Sequence, residues 1–176
     1  MDDTTDQARF GEVFLPYLVD AFRLARWIAG SRADAEDIVQ EASMRAFKNI
    51  RGFSGGNARA WVLTIVRNTG YSWLAKNRPK VLVLSEDLDH HARKNIEQED
   101  PQTPETALIA KLDAQEVRNA MASLPVSFRE VLVLREIHDL DYRTIAEVAA
   151  LPIGTVMSRL ARARSMLAAA IMAGAR

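Results

Sequence analysis

Apolar side chains along this chain recur at steps of three and four, the spacing that puts them on one face of a helix. Phe10, Val13, Phe14, Leu18, Ala21, Phe22, Ala25 and Ile28 trace a first stripe, and Ile38, Val39, Ala42 and Phe47 trace a second. Ser31 with Asp34 resembles a capping box at the head of the second helix. The segment RGFSGGN, residues 51–57, carries three glycines and reads as a loop, with Asn57 placed to cap a third helix from Ala58 to about Lys76. Gly70 within that helix costs about 1 kcal/mol relative to alanine. Pro79 disfavours helix at the residue before it and ends the element.

From Val81 the pattern fades: a short VLVL gives way to SEDLDHHARKNIEQEDPQT, polar, acidic and without sustained period. Thr103, Pro104 and Glu105 resemble an N-cap, a first-turn proline and a first-turn acid. Helical periodicity resumes through Leu108, Leu112, Val117 and Met121, and after Pro125 through Phe128, Val131 and Leu132. A short helix over Tyr142–Ala149 then meets a longer one through the junction ALPIGT, with small Ala146 allowing close helix approach, as in a helix-turn-helix. Strand signals are nearly absent. The expectation is an all-α chain of two small helical domains, residues 1–80 and 104–176, joined by a flexible linker over 81–103.

The last helix sharpens the picture. Val156, Leu160, Ala163 and Leu167 form its apolar stripe, while Ser158, Arg159, Arg162 and Arg164 sit beside it, and no Asp or Glu occurs from Gly154 to Arg176. Thr155, Met157, Ser158, Arg159 and Arg162 are expected on the exposed side, where a recognition helix would meet base edges and phosphates. A solvated face on a helical hairpin is the alternative. The missing acids and the preceding turn favour DNA.

Formal charge is zero, with 23 basic and 23 acidic residues, but the distribution is uneven. Residues 1–44 hold four Lys/Arg against nine Asp/Glu, residues 45–80 eight against none, 81–116 three against nine, 117–153 four against five, and 154–176 four against none. Local field rather than net charge governs phosphate binding, so two basic zones point to two contacts with nucleic acid. In the first zone, Arg59, Trp61, Arg67, Tyr71, Trp73, Lys76 and Arg78 interleave cations with rings, and Phe53 lies in the glycine loop. Rings serve unpaired bases, which stack on them, rather than duplex. Trp61 and Trp73 as core residues of a helical bundle are the competing reading. The acidic DAEDIVQEA, residues 34–42, would repel phosphate, so its surface suits a protein partner or solvent.

Several classes are disfavoured. The chain has no cysteine, which rules out disulfides and thiolate metal sites and fits a reducing cytoplasm. MDDTTDQARF lacks a signal-peptide core, and no run of eighteen apolar residues is present, so a cytoplasmic protein without membrane insertion is expected. His90 and His91 are adjacent rather than one turn apart and offer a metal no fixed geometry, while His138 beside Asp139 reads as a loop residue. There is no P-loop, nucleophile elbow or dinucleotide fingerprint. Neither catalysis, a cofactor nor a metal is expected.

DAEDIVQEASMRAF, AWVLTIVRNTGYSWL and LPVSFREVLVLREIHDLDYRTIAEVAALPIGTVMSRLARARSML, in this order, resemble the extracytoplasmic-function (ECF) sigma factors of the sigma-70 family, over about residues 10–78 and 108–171. The resemblance implies a region 2-like bundle and a region 4-like helix-turn-helix. It also implies that Asp37, Gln40 and Glu41 dock core RNA polymerase. Phe53, Ser54 and Asn57 of the loop would pocket a flipped minus-10 base, supported by Trp61, Arg67, Asn68 and Tyr71. Thr155, Ser158, Arg159 and Arg162 would read minus-35 duplex, and an anti-sigma factor is a further implied partner. Met157, Ser72 and Ala75 stand where the family often has lysine, aspartate and arginine. The 23-residue linker, Val81–Thr103, can stretch to roughly 75–80 Å, enough for promoter elements about 70 Å apart. A stand-alone helix-turn-helix regulator would leave the aromatic zone unused, and a protein-binding adaptor would leave both basic zones unused.

Overall fold

Helices account for every regular element in the computed structural model, which describes residues 3–83 and 114–174. The chain divides into two compact units, the first built mainly from residues up to Arg78 and the second mainly from the residues after it. In the first, α1 (Asp3–Val13), α2 (Leu18–Ala29), α3 (Arg32–Lys48) and α4 (Ala58–Asn77) surround one core. The expected continuous stripe from Phe10 to Ile28 is broken. A 3₁₀ turn at Leu15–Tyr17 separates α1 from α2, with Pro16 in its first positions, because proline lacks an N–H and its ring clashes with the carbonyl four residues back.

Capping follows the sequence more closely. The Ser31 hydroxyl accepts the Asp34 N–H at 3.2 Å and donates to the Asp34 carboxylate at 2.6 Å, so α3 starts where a cap of this kind directs. Gly30, at φ +84°, ends α2 in the left-handed conformation that glycine adopts without strain. Phe14, Leu24, Ile28, Ile38, Ile50, Leu63, Val66 and Leu74 fill the core, each of the larger ones contributing about 1.5–3 kcal/mol of burial. Gly70 has a packing reason: a Cβ there would lie 3.0 Å from Ile28 Cγ2, so its absence lets α2 approach α4. After the break at Arg78, residues 79–83 turn helical again, which the expected end at Pro79 did not anticipate.

The second unit contains α5 (Ala114–Ser123), α6 (Val126–Leu132), α7 (Tyr142–Ala149) and α8 (Ile153–Gly174). Pro125 sits at the N-cap of α6, and the chain continues from α6 into a π-helical turn, Val133–Ile137. Its wider hydrogen bonding, His138 N–H to the Val133 carbonyl at 3.0 Å, turns the chain toward α7. Phe128, Val131, Leu134, Ile145 and Val148 are buried, as are Val156, Leu160, Ala163 and Leu167, the stripe read from sequence. His138, expected as a loop residue, lies in the bend after the π turn but is buried at 1% exposure. Residues 84–103 of the expected linker, with His90 and His91, and the expected helix start from Thr103 through Leu108 and Leu112 lie outside the described residues. Among the described residues, no single helix is long and apolar enough to cross a membrane.

Candidate nucleic-acid interface

On α3 the buried residues Ala35, Ile38, Val39, Ala42 and Ala46 face the bundle. That register leaves Asp37, Gln40 and Glu41 exposed together on the opposite side. Glu41 reaches Arg45 at 2.8 Å and Glu36 reaches Arg32 at 2.9 Å, exposed pairs of the kind that contribute little to stability. Met44 extends the same side at 51% exposure, an apolar spot within a polar helix face that the acidic motif did not single out.

The glycine loop runs from a 3₁₀ turn, Ile50–Gly52, to the N-terminus of α4. Gly55 and Gly56 have φ of +97° and +93°, values a side chain would strain. Ser54 and Asn57 are exposed, and the Asn57 Oδ1 accepts the Ala60 N–H at 3.0 Å. That cap engages the side-chain oxygen of Asn57. Phe53 is buried at 9% exposure, its ring centroid 5.1 Å from that of half-buried Trp61. The ring of the loop is thus buried against Trp61.

Along α4, steps of three and four carry Trp61 through Thr64 to Asn68 and Ser72, with Arg67 and Tyr71 in the adjacent row. The Arg67 guanidinium lies 4.2 Å from the Tyr71 ring centroid, a cation–π arrangement, and contacts Asn68 Oδ1 at 3.4 Å. Ser72, exposed, donates back to the Asn68 carbonyl at 2.9 Å. Trp61 and Trp73 are neither core nor free platforms, since each is half-buried. The core reading and the stacking reading each describe part of the ring.

Several cations of this zone are already engaged by carboxylates of the acidic first segment. Arg51 pairs with Asp6 at 2.6 Å, Arg59 with Asp20 at 2.7 Å, and Arg78 with Asp34 at 2.9 Å. Arg78 also donates to the Ala29 carbonyl at 2.8 Å and lies 5.3 Å from the Trp73 ring. Hydrogen bonding and charge from Arg51 hold the Asp6 carboxyl below its ordinary value. The field over α4 is therefore weaker than the charge count suggested.

In the C-terminal unit α7 and α8 meet at 100°, within the range of helix-turn-helix crossings. Asp141 caps α7 by accepting the Thr144 N–H at 2.7 Å, and that backbone hydrogen bond is the chief reason its carboxyl is held below its ordinary value. The turn closes through the Leu151 N–H to the Ala146 carbonyl at 2.9 Å, with Ala150 at φ +54°. On α8, Thr155, Ser158 and Arg162 are half-buried, and Met157 is 49% exposed. The Ser158 hydroxyl donates to the Thr155 carbonyl at 3.0 Å.

Arg159 departs from expectation. It is buried at 8% exposure, three residues after Val156 and four before Ala163, the spacing that sets it beside the apolar stripe. Arg164 departs as well: its guanidinium pairs with Glu136 of the π turn at 2.9 Å. Burial opposes its charge, but hydrogen bonds to Glu136 and Tyr142 outweigh it and raise its pKa. The anion that Arg164 seeks is thus supplied by its own domain.

Comparison with known proteins matches residues 13–80 to sigma-70 region 2 and residues 114–167 to sigma-70 region 4. The ECF RNA polymerase sigma-E factor of Haemophilus influenzae is 32% identical over 82% of this chain and 77% of its own. The ECF RNA polymerase sigma factor EcfG of Rhodopseudomonas palustris is 36% identical over 81% of this chain and 74% of its own. Among solved structures, the sigma factor RpoE of Bartonella quintana, crystallised in complex with the anti-sigma factor NepR, superposes with a TM-score of 0.66 at 29% identity, covering 90% of this chain and 93% of that one. An all-helical fold, a glycine loop backed by rings, a helix-turn-helix and matches of this extent lead to one conclusion: the chain belongs to the extracytoplasmic-function group of the sigma-70 family and is a sigma factor.

Proposed function

We propose that this chain carries core RNA polymerase to a two-part promoter, reads the minus-35 element as duplex and the minus-10 element as unpaired bases, and performs no chemistry of its own. The division of chemistry between the units supports this reading most. α8 presents Thr155, Ser158 and Arg162 on a helix with no carboxylate, the composition a major-groove helix needs. The loop Phe53–Asn57 with Trp61, Arg67, Asn68 and Tyr71 instead gathers rings, side-chain amides and a cation, the equipment for a flipped base. Arg159 joins the minus-35 set as a buried support of α8.

Asp37, Gln40 and Glu41, with exposed Met44 among them, form the proposed docking face for core polymerase. Residues 1–80 would serve core and minus-10 binding, 104–176 minus-35 binding, and 81–103 the connection. Control by an anti-sigma factor follows by analogy with the Bartonella quintana relative, which was crystallised with one. Action on promoters places the protein in the cytoplasm.

The test is transcription from fragmented genomic DNA by core polymerase, with and without the protein, with mapping of RNA 5′ ends. New starts sharing two upstream elements are expected. No new starts, from folded protein and polymerase active with another sigma factor, would leave an operator-binding regulator as the better reading.

A further inference from the structure

The region 2 match begins at residue 13, so α1 lies almost wholly before it, and the proposed function has no use for it. Its side chains nevertheless reach the glycine loop. Asp6 pairs with Arg51 at 2.6 Å, and the Arg9 guanidinium donates to the Phe53 carbonyl, contacts that span 45 and 44 residues of sequence. Phe10, one residue on, stacks on Phe14 with centroids 5.0 Å apart and meets Phe47 edge-on at 5.7 Å. These rings tie α1 to the end of α3, so its charged residues are presented from a fixed base.

The loop itself offers little to hold it. Apart from the glycine itself and its chain neighbours, no heavy atom lies within 4 Å of where a Cβ would stand on Gly52, Gly55 or Gly56. Its downstream end is pinned by the Asn57 cap on α4. Its upstream end, Arg51–Phe53, is pinned by Asp6 and Arg9.

We propose that α1 positions the base-capturing loop, with Arg9 as the positioning residue and the Asp6–Arg51 pair as its brace. Arg9 fixes the Phe53 backbone, which keeps the Phe53 ring on Trp61 and leaves Ser54 and Asn57 facing outward before any base arrives. A loop ordered in advance does not have to lose that freedom on binding. A guanidinium donating to a carbonyl is a charge-assisted bond that a neutral side chain cannot replace.

This inference rests on the reading that the loop receives a minus-10 base, and the experiment separates the two. Full-length protein with core polymerase is assayed for open-complex formation on promoters found by the 5′-end mapping, with permanganate reactivity of unpaired thymines as readout. Melting of the protein and binding of the free protein to minus-35 duplex are measured alongside. Arg9→Met is expected to slow opening about tenfold while duplex binding stays within about twofold, and Arg9→Lys to recover part of the loss. Asp6→Arg and Arg51→Asp are each expected to slow opening, and the double exchange to return it to within about threefold of wild type, as a re-formed pair would. Arg118→Met, a cation removed from the other unit, controls for net charge.

Wild-type opening by Arg9→Met alongside impaired opening by Trp61→Ala would overturn the positioning role and leave base capture standing. Failure of the exchange to recover opening, in a variant that melts as the wild type does, would overturn the brace. Wild-type opening by Trp61→Ala would bring down the base-capture reading and this inference with it.

Discussion

Two stretches of this chain look alike in sequence, Arg45–Lys80 and Gly154–Arg176, each basic and free of acids. The fold treats them differently. Around α4, Arg51, Arg59 and Arg78 are bridged by Asp6, Asp20 and Asp34 from the acidic segment that precedes them. Cation and carboxylate counts that looked like alternating fields are in part the two halves of ion pairs within one bundle. In α8 a different process operates: Arg159 turns inward and Arg164 closes onto Glu136, leaving Thr155, Ser158 and Arg162 at the partly open surface. A charge-dense segment therefore yields fewer nucleic-acid contacts than cations, by pairing in one unit and by helical phase in the other.

The largest expected effect tests the rings that only the first zone has. Trp61→Ala should impair promoter opening by about 5- to 150-fold, the scale of one lost base stack, while free-protein binding to minus-35 duplex is unchanged. Circular dichroism checks that the loss is not unfolding. Next comes the contrast within α8. Arg162→Ala should lower the slope of log affinity against log salt by about 0.9, one phosphate contact. Arg164→Met should leave that slope unchanged and lower the melting temperature instead, since it breaks the Glu136 pair. Equal slope changes in the two variants would erase the distinction drawn here.

A smaller effect separates two cations of α4, Arg59 in its ion pair with Asp20 and Arg67 over the Tyr71 ring. Arg59→Gln should cost up to about 1 kcal/mol of stability through the Asp20 pair with little change in single-strand salt dependence. Arg67→Gln should lower the single-strand slope by about 0.7 and barely move the melting temperature. The smallest expected effect is on pH. Because its carboxyl is held below the ordinary value of 3.8, Asp141 contributes stability that is fully present above that value and is lost as pH falls through the lowered one. Asp141→Asn, which keeps a cap, should show a shallower loss of melting temperature below pH 4 and near-wild-type behaviour at pH 7.

Much of the local structure was legible because its causes are local. Ser31 and Asn57 begin helices because a side-chain oxygen meets an N–H three residues on, and the stripe Val156, Leu160, Ala163 and Leu167 is buried because helical phase puts it on one side. Pro16 shows where periodicity misled. Apolar residues kept their three- and four-residue steps across it, but a missing N–H and a ring clash decided the break. Gly70 looked like a defect by propensity and proved to be the site where Ile28 approaches α4. The candidate site residues were chosen by type and spacing, and neither shows which of them is buried: Arg159, expected on the exposed side, is 8% exposed.

Sequence alone determined the all-helical character, the caps at Ser31 and Asn57, the two-part plan and the family, since each depends on residues within a turn or two, or on motif order. Tertiary structure decided which charges are engaged and which face outward. Asp6 meets Arg51 and Arg9 meets Phe53 only after the chain has closed on itself over 45 and 44 residues. Arg164 meets Glu136 only once the π turn and α8 are packed together. Coulomb attraction and burial act on distance in space, and composition counted along a chain carries no such distance.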